Sequence, residues 1–235
     1  MKTTSIIVLA TGLTLAGASG AIAQTVEPKA YVDLNIGGRT QSVTIATSST
    51  FTLFGESGAA NSSSTAGKAI GPDGGVGFFL RKNLAIGVGV AVFTRSPTGT
   101  VSITTPDPIA FNSFTTVASS PTLTTKEVGT HFKVVYLLPV NDKMDVTIAG
   151  GPSFMRLSRD IATASVVNGS PQIAVETQTG STLGVHGSVD VNYLFTRRLG
   201  AGIFVRYILA QVDLPAASGV SVGGFQAGLG LRVRF

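Results

Sequence analysis

The most regular feature of this chain is a two-residue alternation of oily and non-oily positions. In the closing stretch "GGFQAGLGLRVRF" (223–235), Phe225, Ala227, Leu229, Leu231, Val233 and Phe235 share one face, while Gly224, Gln226, Gly228, Gly230, Arg232 and Arg234 share the other. The same pattern runs through "LAIGVGVAVF" (84–93), "VGTHFKVVYLL" (128–138), "GVHGSVDVNYLF" (184–195) and "LGAGIFVRYILA" (199–210). Strict alternation over such lengths predicts strands, not helices. Eight are expected, at 30–44, 70–80, 84–96, 126–138, 144–158, 183–195, 199–212 and 222–235.

The connections alternate between two kinds. "RKN" (81–83), "PVNDK" (139–143) and "TRR" (196–198) are short and charged. The segments 45–69, 97–125, 159–182 and 213–221 are long and mostly rich in Ser, Thr, Gly and Pro. Antiparallel strands joined by tight turns at one end and long loops at the other predict an all-β, eight-stranded up-and-down barrel. With the oily face outward, the inward positions collect Asp33, Arg39, Arg95, Glu127, Lys133, Asp145, Asp190, Arg206, Arg232 and Arg234. The outward set keeps charge only near strand ends, at Lys126 and Arg156. A soluble sandwich would bury the apolar set and expose the charge. Apolar-out and polar-in is the transmembrane barrel pattern. Outward Tyr136, Tyr193, Phe195 and Phe235 near the short turns, with Phe154, Tyr207 and Phe225 near the long loops, add two aromatic rings.

The first residues set the compartment. "MKTTSIIVLATGLTLAGASGAIAQ" has Lys2, an apolar run from Ile6 to Ala16 and a small-residue A-x-A-like site, so 1–23 reads as a cleavable signal peptide and 24–235 as the barrel domain. The run is short of the roughly 20 apolar residues of a spanning helix. The 235 residues, 43% hydrophobic and only 12% charged, exclude a disordered chain and suit one all-β domain. Cysteine is absent, which removes disulfides, thiolate metal sites and cysteine nucleophiles.

Signal peptide, eight alternating strands and the closing "GLGLRVRF" resemble the OmpA/OmpX-type outer-membrane β-barrel domains of Gram-negative bacteria, here without a C-terminal peptidoglycan-binding domain. The resemblance implies residence among outer-membrane lipid and lipopolysaccharide. It also implies that Leu229, Leu231, Val233 and Phe235 form a signal read by the barrel-assembly machinery.

Chemistry is thin. Four acids and six bases facing a narrow lumen are expected to pair as a plug. His131, His186, Ser188 and Glu127 share inward parity and the residue types of a nucleophile, base and orienter, as in lipid-modifying outer-membrane enzymes, with no local motif to fix them. Two His on separate strands do not make a metal site, and no cofactor is indicated. The formal charge of +5 does not point to nucleic acid, because its exposed bases sit at turns and the others face the lumen. "NGS" (168–170) matches a glycosylation acceptor of no relevance to a bacterial host.

The loops 44–68 and 97–126 are nearly uncharged and carry Phe51, Phe54, Phe111 and Phe114, which offers a place for an extracellular ligand. Alternation in "TVSITT" and "TLTTK" predicts that strands three and four extend as a hairpin beyond the membrane. The expectation is a monomeric, non-enzymatic outer-membrane barrel with a structural or surface-interaction role. A narrow channel for small solutes is the alternative; a lipocalin-like carrier ranks below it, because its lumen should be apolar.

Overall fold

The structure, a computed structural model, describes residues 28–167 and 170–235. The expected signal peptide, and Asn168 and Gly169 of the "NGS" triplet, lie outside the described residues. Twelve strands are present among those described: β1 (Ala30–Arg39), β2 (Val43–Leu53), β3 (Glu56–Ala66), β4 (Ala69–Arg81), β5 (Leu84–Arg95), β6 (Thr100–Pro106), β7 (Phe114–Ser119), β8 (Thr125–Asn141), β9 (Met144–Val167), β10 (Ser170–Leu194), β11 (Leu199–Leu214) and β12 (Ala217–Arg234). Eight of them close a barrel in the order β1-β12-β11-β10-β9-β8-β5-β4, with β4 pairing back on β1. All its neighbours are antiparallel. Closure leaves no unpaired sheet edge, which a backbone in lipid requires.

The four remaining strands correct the expectation of irregular loops. They form a second sheet, in the order β2-β3-β6-β7, beyond the long-loop end of the barrel. The first strand, expected to run to residue 44, stops at Arg39. Its partner β12 bends there: Gly223 and Gly224 have φ of 85° and 73°, a left-handed conformation that glycine adopts without steric cost. Pairing between β1 and β12 ends at Arg39↔Gln226, and the chain leaves the barrel for β2. The β2–β3 hairpin turns on Phe54-Gly55, both at positive φ, the geometry a two-residue hairpin turn needs. "TVSITT" is a strand as expected, but β6 pairs with β7 and not with "TLTTK", which contributes only the isolated bridge Thr98↔Thr122 and the start of β8.

The expected loop 159–182 is strand throughout its described length. β9 and β10 are 24 and 25 residues long, paired from Tyr193↔Met144 up to Ser170↔Val167. At about 3.4 Å per residue such strands reach roughly 80 Å, far beyond an apolar band about 25 Å tall. They therefore stand well clear of the membrane.

The wall has an oily exterior. Ile70 (75% exposed), Leu229 (65%), Leu34 (64%), Phe78 (62%) and Ile203 (61%) face outward with no protein cover. A continuous apolar wall of this kind has no place in water. The seven expected girdle aromatics are also outward-facing and exposed. From Phe225 on β12 to Phe235 just past its end is a rise of ten residues, about 34 Å of extended chain, which a tilt of about 40° turns into roughly 26 Å of height. That matches the apolar band.

Candidate functional site

Inward glycines make the lumen habitable for long side chains. A Cβ at Gly75 or Gly89 would lie 3.2 and 3.4 Å from Lys133 Nζ, and one at Gly77 would collide with the Tyr31 ring. Into this space the strands project two kinds of polar layer.

The half nearer the short turns is charge-balanced. Asp33 and Arg232 sit directly opposite on β1 and β12, so the pair lies across one of the barrel's strand ladders. Arg232 Nε donates to Asp33 Oδ1 at 2.6 Å, Nη1 to Thr147 at 2.8 Å and Nη2 to Asp190 at 3.1 Å. Lys133 Nζ lies 3.7 Å from the other Asp33 oxygen, and the Arg232 guanidinium stacks 5.1 Å from the Tyr31 ring. Below, Arg234 donates to Asp145 at 2.5 Å, and Asn192 donates to the same carboxylate at 3.0 Å. Above, Arg206 donates to Asp73 at 2.6 Å, with Asn35 donating to it at 3.0 Å. Four carboxylates thus meet four cations, all at least half-buried. Desolvated charge is costly unless paired and hydrogen-bonded, and here each carboxylate is. The cavity left among Asp33, Lys133, Asp190, Arg206 and Arg232 is about 20 Å³, room for about one water.

Asp73 was not among the sequence candidates. "GPDGGVG" is a glycine-rich strand opening, and its alternate residues Gly71, Asp73, Gly75 and Gly77 form the inward face of β4 opposite Ile70, Pro72, Val76 and Phe78. It lies inside the expected strand 70–80, so carrying the parity through that strand gives it.

The nucleophile–base–orienter set does not assemble. Glu127 is held by Arg39 and accepts a hydrogen bond from the Gly223 N–H at 2.9 Å. Ser188 is not the hydroxyl the histidines share. His131 and His186 converge instead on Ser153, whose Oγ lies 2.9 Å from His131 Nδ1 and 2.8 Å from His186 Nδ1, with ring centroids 5.1 Å apart. Ser153 pairs directly with His131 across β8 and β9, an inward position that parity also gives. One hydroxyl donates to one ring and accepts from the other, which fixes both imidazoles. Among the described residues no group of three His, Asp or Glu side chains could hold a metal ion.

The half nearer the long strands differs. One side is filled by an apolar cluster that includes Ile45, Met155, Leu157, Ile208, Val212 and Val222. The other side carries Arg39, paired with Glu127; Arg95, whose Nη1 donates to the Gly67 carbonyl at 2.9 Å; and Arg159, whose Nη2 donates to the Ser64 carbonyl at 2.7 Å and hydroxyl at 3.0 Å. Arg95 is the one sequence-expected lumen charge without a carboxylate partner among the described residues. Arg159 was missed because its segment reads as a loop. It fastens β3 of the outer sheet to the barrel wall.

Leu229, Leu231 and Phe235, expected in the assembly signal, lie exposed on the outer wall, and Val233 is partly covered there. The Phe235 backbone closes the barrel, its N–H donating to the Ala30 carbonyl at 2.9 Å.

No protein-family model and no curated protein matches this chain. Solved structures do. Neisserial surface protein A is 16% identical over 88% of this chain and 97% of its own, with a TM-score of 0.46. The outer membrane protein OprG from Pseudomonas aeruginosa is 9% identical over 88% and 96%, with a TM-score of 0.49. The outer membrane protease OmpT from Escherichia coli is 10% identical over 92% and 99%, with a TM-score of 0.45. At such identity the likeness is one of architecture alone. Eight closed antiparallel strands, an oily wall and a charged interior define the chain by its own geometry: it is a transmembrane β-barrel of the bacterial outer-membrane type.

Proposed function

We propose that the protein is a non-enzymatic outer-membrane barrel acting at the cell surface through the strands that rise above its membrane band. The observation that carries this reading is the pairing of a closed lumen with an elaborate outer sheet. A lumen cavity of about 20 Å³ does not admit a solute, whereas the ordered sheet β2-β3-β6-β7 and the long β9–β10 hairpin stand where the surroundings can reach them. Residues 108–125 carry no charge. The tip of the β6–β7 hairpin exposes Ile109 (94%) and Phe111 (78%). Its turn is set by Asp107, whose carboxylate accepts from the Ile109 and Ala110 N–H groups at 2.8 and 3.0 Å. Those bonds hold the Asp107 pKa below its ordinary value, so the turn keeps its charge. Rigidly held loops on a stable scaffold are where binding resides.

Lipopolysaccharide around the wall and the barrel-assembly machinery acting on the last strand are the partners this reading requires, with the barrel as a monomer. The test has two arms. Protease added to intact cells should cut within 107–113, and the purified protein in planar bilayers should give no steady conductance. Protection of that segment on intact cells would contradict the surface role, and a large steady conductance would favour the channel alternative.

A further inference from the structure

The long-strand end of the lumen holds an excess of buried positive charge that the protein does not neutralise. Arg95, Thr125 and Arg159 form a row across adjacent strands, paired Arg95↔Thr125 on β5 and β8 and Thr125↔Arg159 on β8 and β9. All three take the inward parity, so two arginines flank the buried Thr125 on its neighbouring strands. Glu127, two residues along β8, brings in Arg39 from β1 across the lumen. Arg95 lies within electrostatic reach of Arg39, Arg159 and Glu127. Three cations therefore face one carboxylate, where the other half of the lumen is matched.

The hydrogen-bonding inventory points the same way. Arg39, 1% exposed, has Nε and Nη2 buried with no partner in the protein. Arg95 Nε and Thr125 Oγ1 are likewise buried and unpartnered. Unsatisfied buried donors are uncommon in folded proteins and demand an explanation. Like charges in a medium of low dielectric repel strongly, so an uncompensated excess here opposes folding. A ligand with several acceptor atoms and negative charge answers both facts at once.

We propose that the Arg39–Arg95–Thr125–Arg159 group is a binding site for a small inorganic oxyanion of the phosphate or sulfate class. Guanidinium forks match the spacing of oxyanion oxygens and bind them through paired charge-assisted hydrogen bonds. The Thr125 hydroxyl supplies a further donor between them. A halide offers one centre and cannot engage divergent forks in this way, so chloride is a weaker occupant. The site is independent of the surface role, since it lies inside the wall. Bound anion would fasten β1, β5, β8 and β9 together at the rim from which the outer sheet springs.

Calorimetric titration of the folded barrel in detergent with inorganic phosphate, at ionic strength held constant with chloride, tests this. One saturable site per barrel is expected. Arg95→Met and Arg159→Met should each weaken it by at least about tenfold, the scale of one lost charge-assisted hydrogen bond. Arg198→Met, at an exposed short turn, should leave it unchanged. If a methionine variant does not fold, Arg95→Lys, which keeps the charge and removes the fork, is expected to weaken phosphate more than chloride. Absence of saturable binding to the unaltered protein overturns the proposal and leaves water as the occupant. Equal binding by the unaltered protein and the Arg95 and Arg159 variants shows an adventitious ion only and overturns it too.

Discussion

The two halves of the lumen solve the same problem in different ways. Near the short turns, Asp33, Asp73, Asp145 and Asp190 meet Lys133, Arg206, Arg232 and Arg234, so every carboxylate has a cation, most of them reaching across the lumen. Near the long strands, half the section is filled with Met155, Leu157, Ile208 and Val212, and the other half leaves three arginines with one carboxylate. The first half is a self-contained plug. The second is an interface, where the barrel hands over to the outer sheet and where Arg95 and Arg159 hold the backbone carbonyls of Gly67 and Ser64. Polar residues inside a barrel are thus not of one kind, and only their pairing separates the two.

The largest expected effect is in the plug. Arg232→Met would leave Asp190 without a cation and Asp33 with only Lys133 at 3.7 Å. Breaking a buried pair from one side costs about 3–5 kcal/mol. Urea unfolding in lipid vesicles, followed by tryptophan-free circular dichroism, should show a loss of this size. A loss below about 1 kcal/mol, the scale of an exposed pair, would mean that the plug is wet and screened.

Val205→Arg calibrates that loss against the wall. Val205 is outward on β11, beside inward Arg206. Charge facing lipid near the midplane should cost about 2–4 kcal/mol in the same assay. A neutral result would place the β11 outer face in water.

Deleting Phe235 bears on closure. Its ring, 49% exposed to the surroundings of the wall, contributes at most about 1.5–3 kcal/mol by burial in lipid. If the terminal strand is also read during insertion, outer-membrane yield in cells should fall far more than the stability of refolded protein. A parallel fall in both would reduce Phe235 to packing.

The smallest effect is expected in the other half. Arg159→Met removes hydrogen bonds to Ser64, yet it also relieves repulsion from Arg95. The two oppose each other, and the net change should stay within about 1 kcal/mol. A loss as large as that of Arg232→Met would erase the contrast between the halves.

Legibility in the sequence followed the same division. Strands such as Leu84–Arg95 and Leu199–Leu214 cross the membrane band, where one face meets lipid and the other a polar lumen, so composition alternates and the period shows. The strands β2, β3 and β7 lie beyond the band, and the small polar residues of "SGAANSSST" suit either face. Their strand character comes from partners, not from composition, and no period marks it. Lumen charges on alternating strands were readable one by one. Which of them pair was not, and some members escaped: Asp73 sits in a glycine-rich stretch, Arg159 in a segment that reads as loop, and Ser153 is an ordinary inward serine until two histidines meet on it.

The membrane-spanning barrel requires that the odd-numbered face of β11 meet lipid, and the absence of cysteine makes that measurable without background. Single cysteines placed in turn at Ile203, Phe204, Val205, Arg206 and Tyr207 would carry a fluorophore in protein reconstituted into vesicles with brominated lipid. Lipid quenching should be strong at 203, 205 and 207 and weak at 204 and 206. Reaction of the odd positions with a water-soluble thiol reagent, with no lipid quenching and no alternation, would contradict a membrane-spanning barrel.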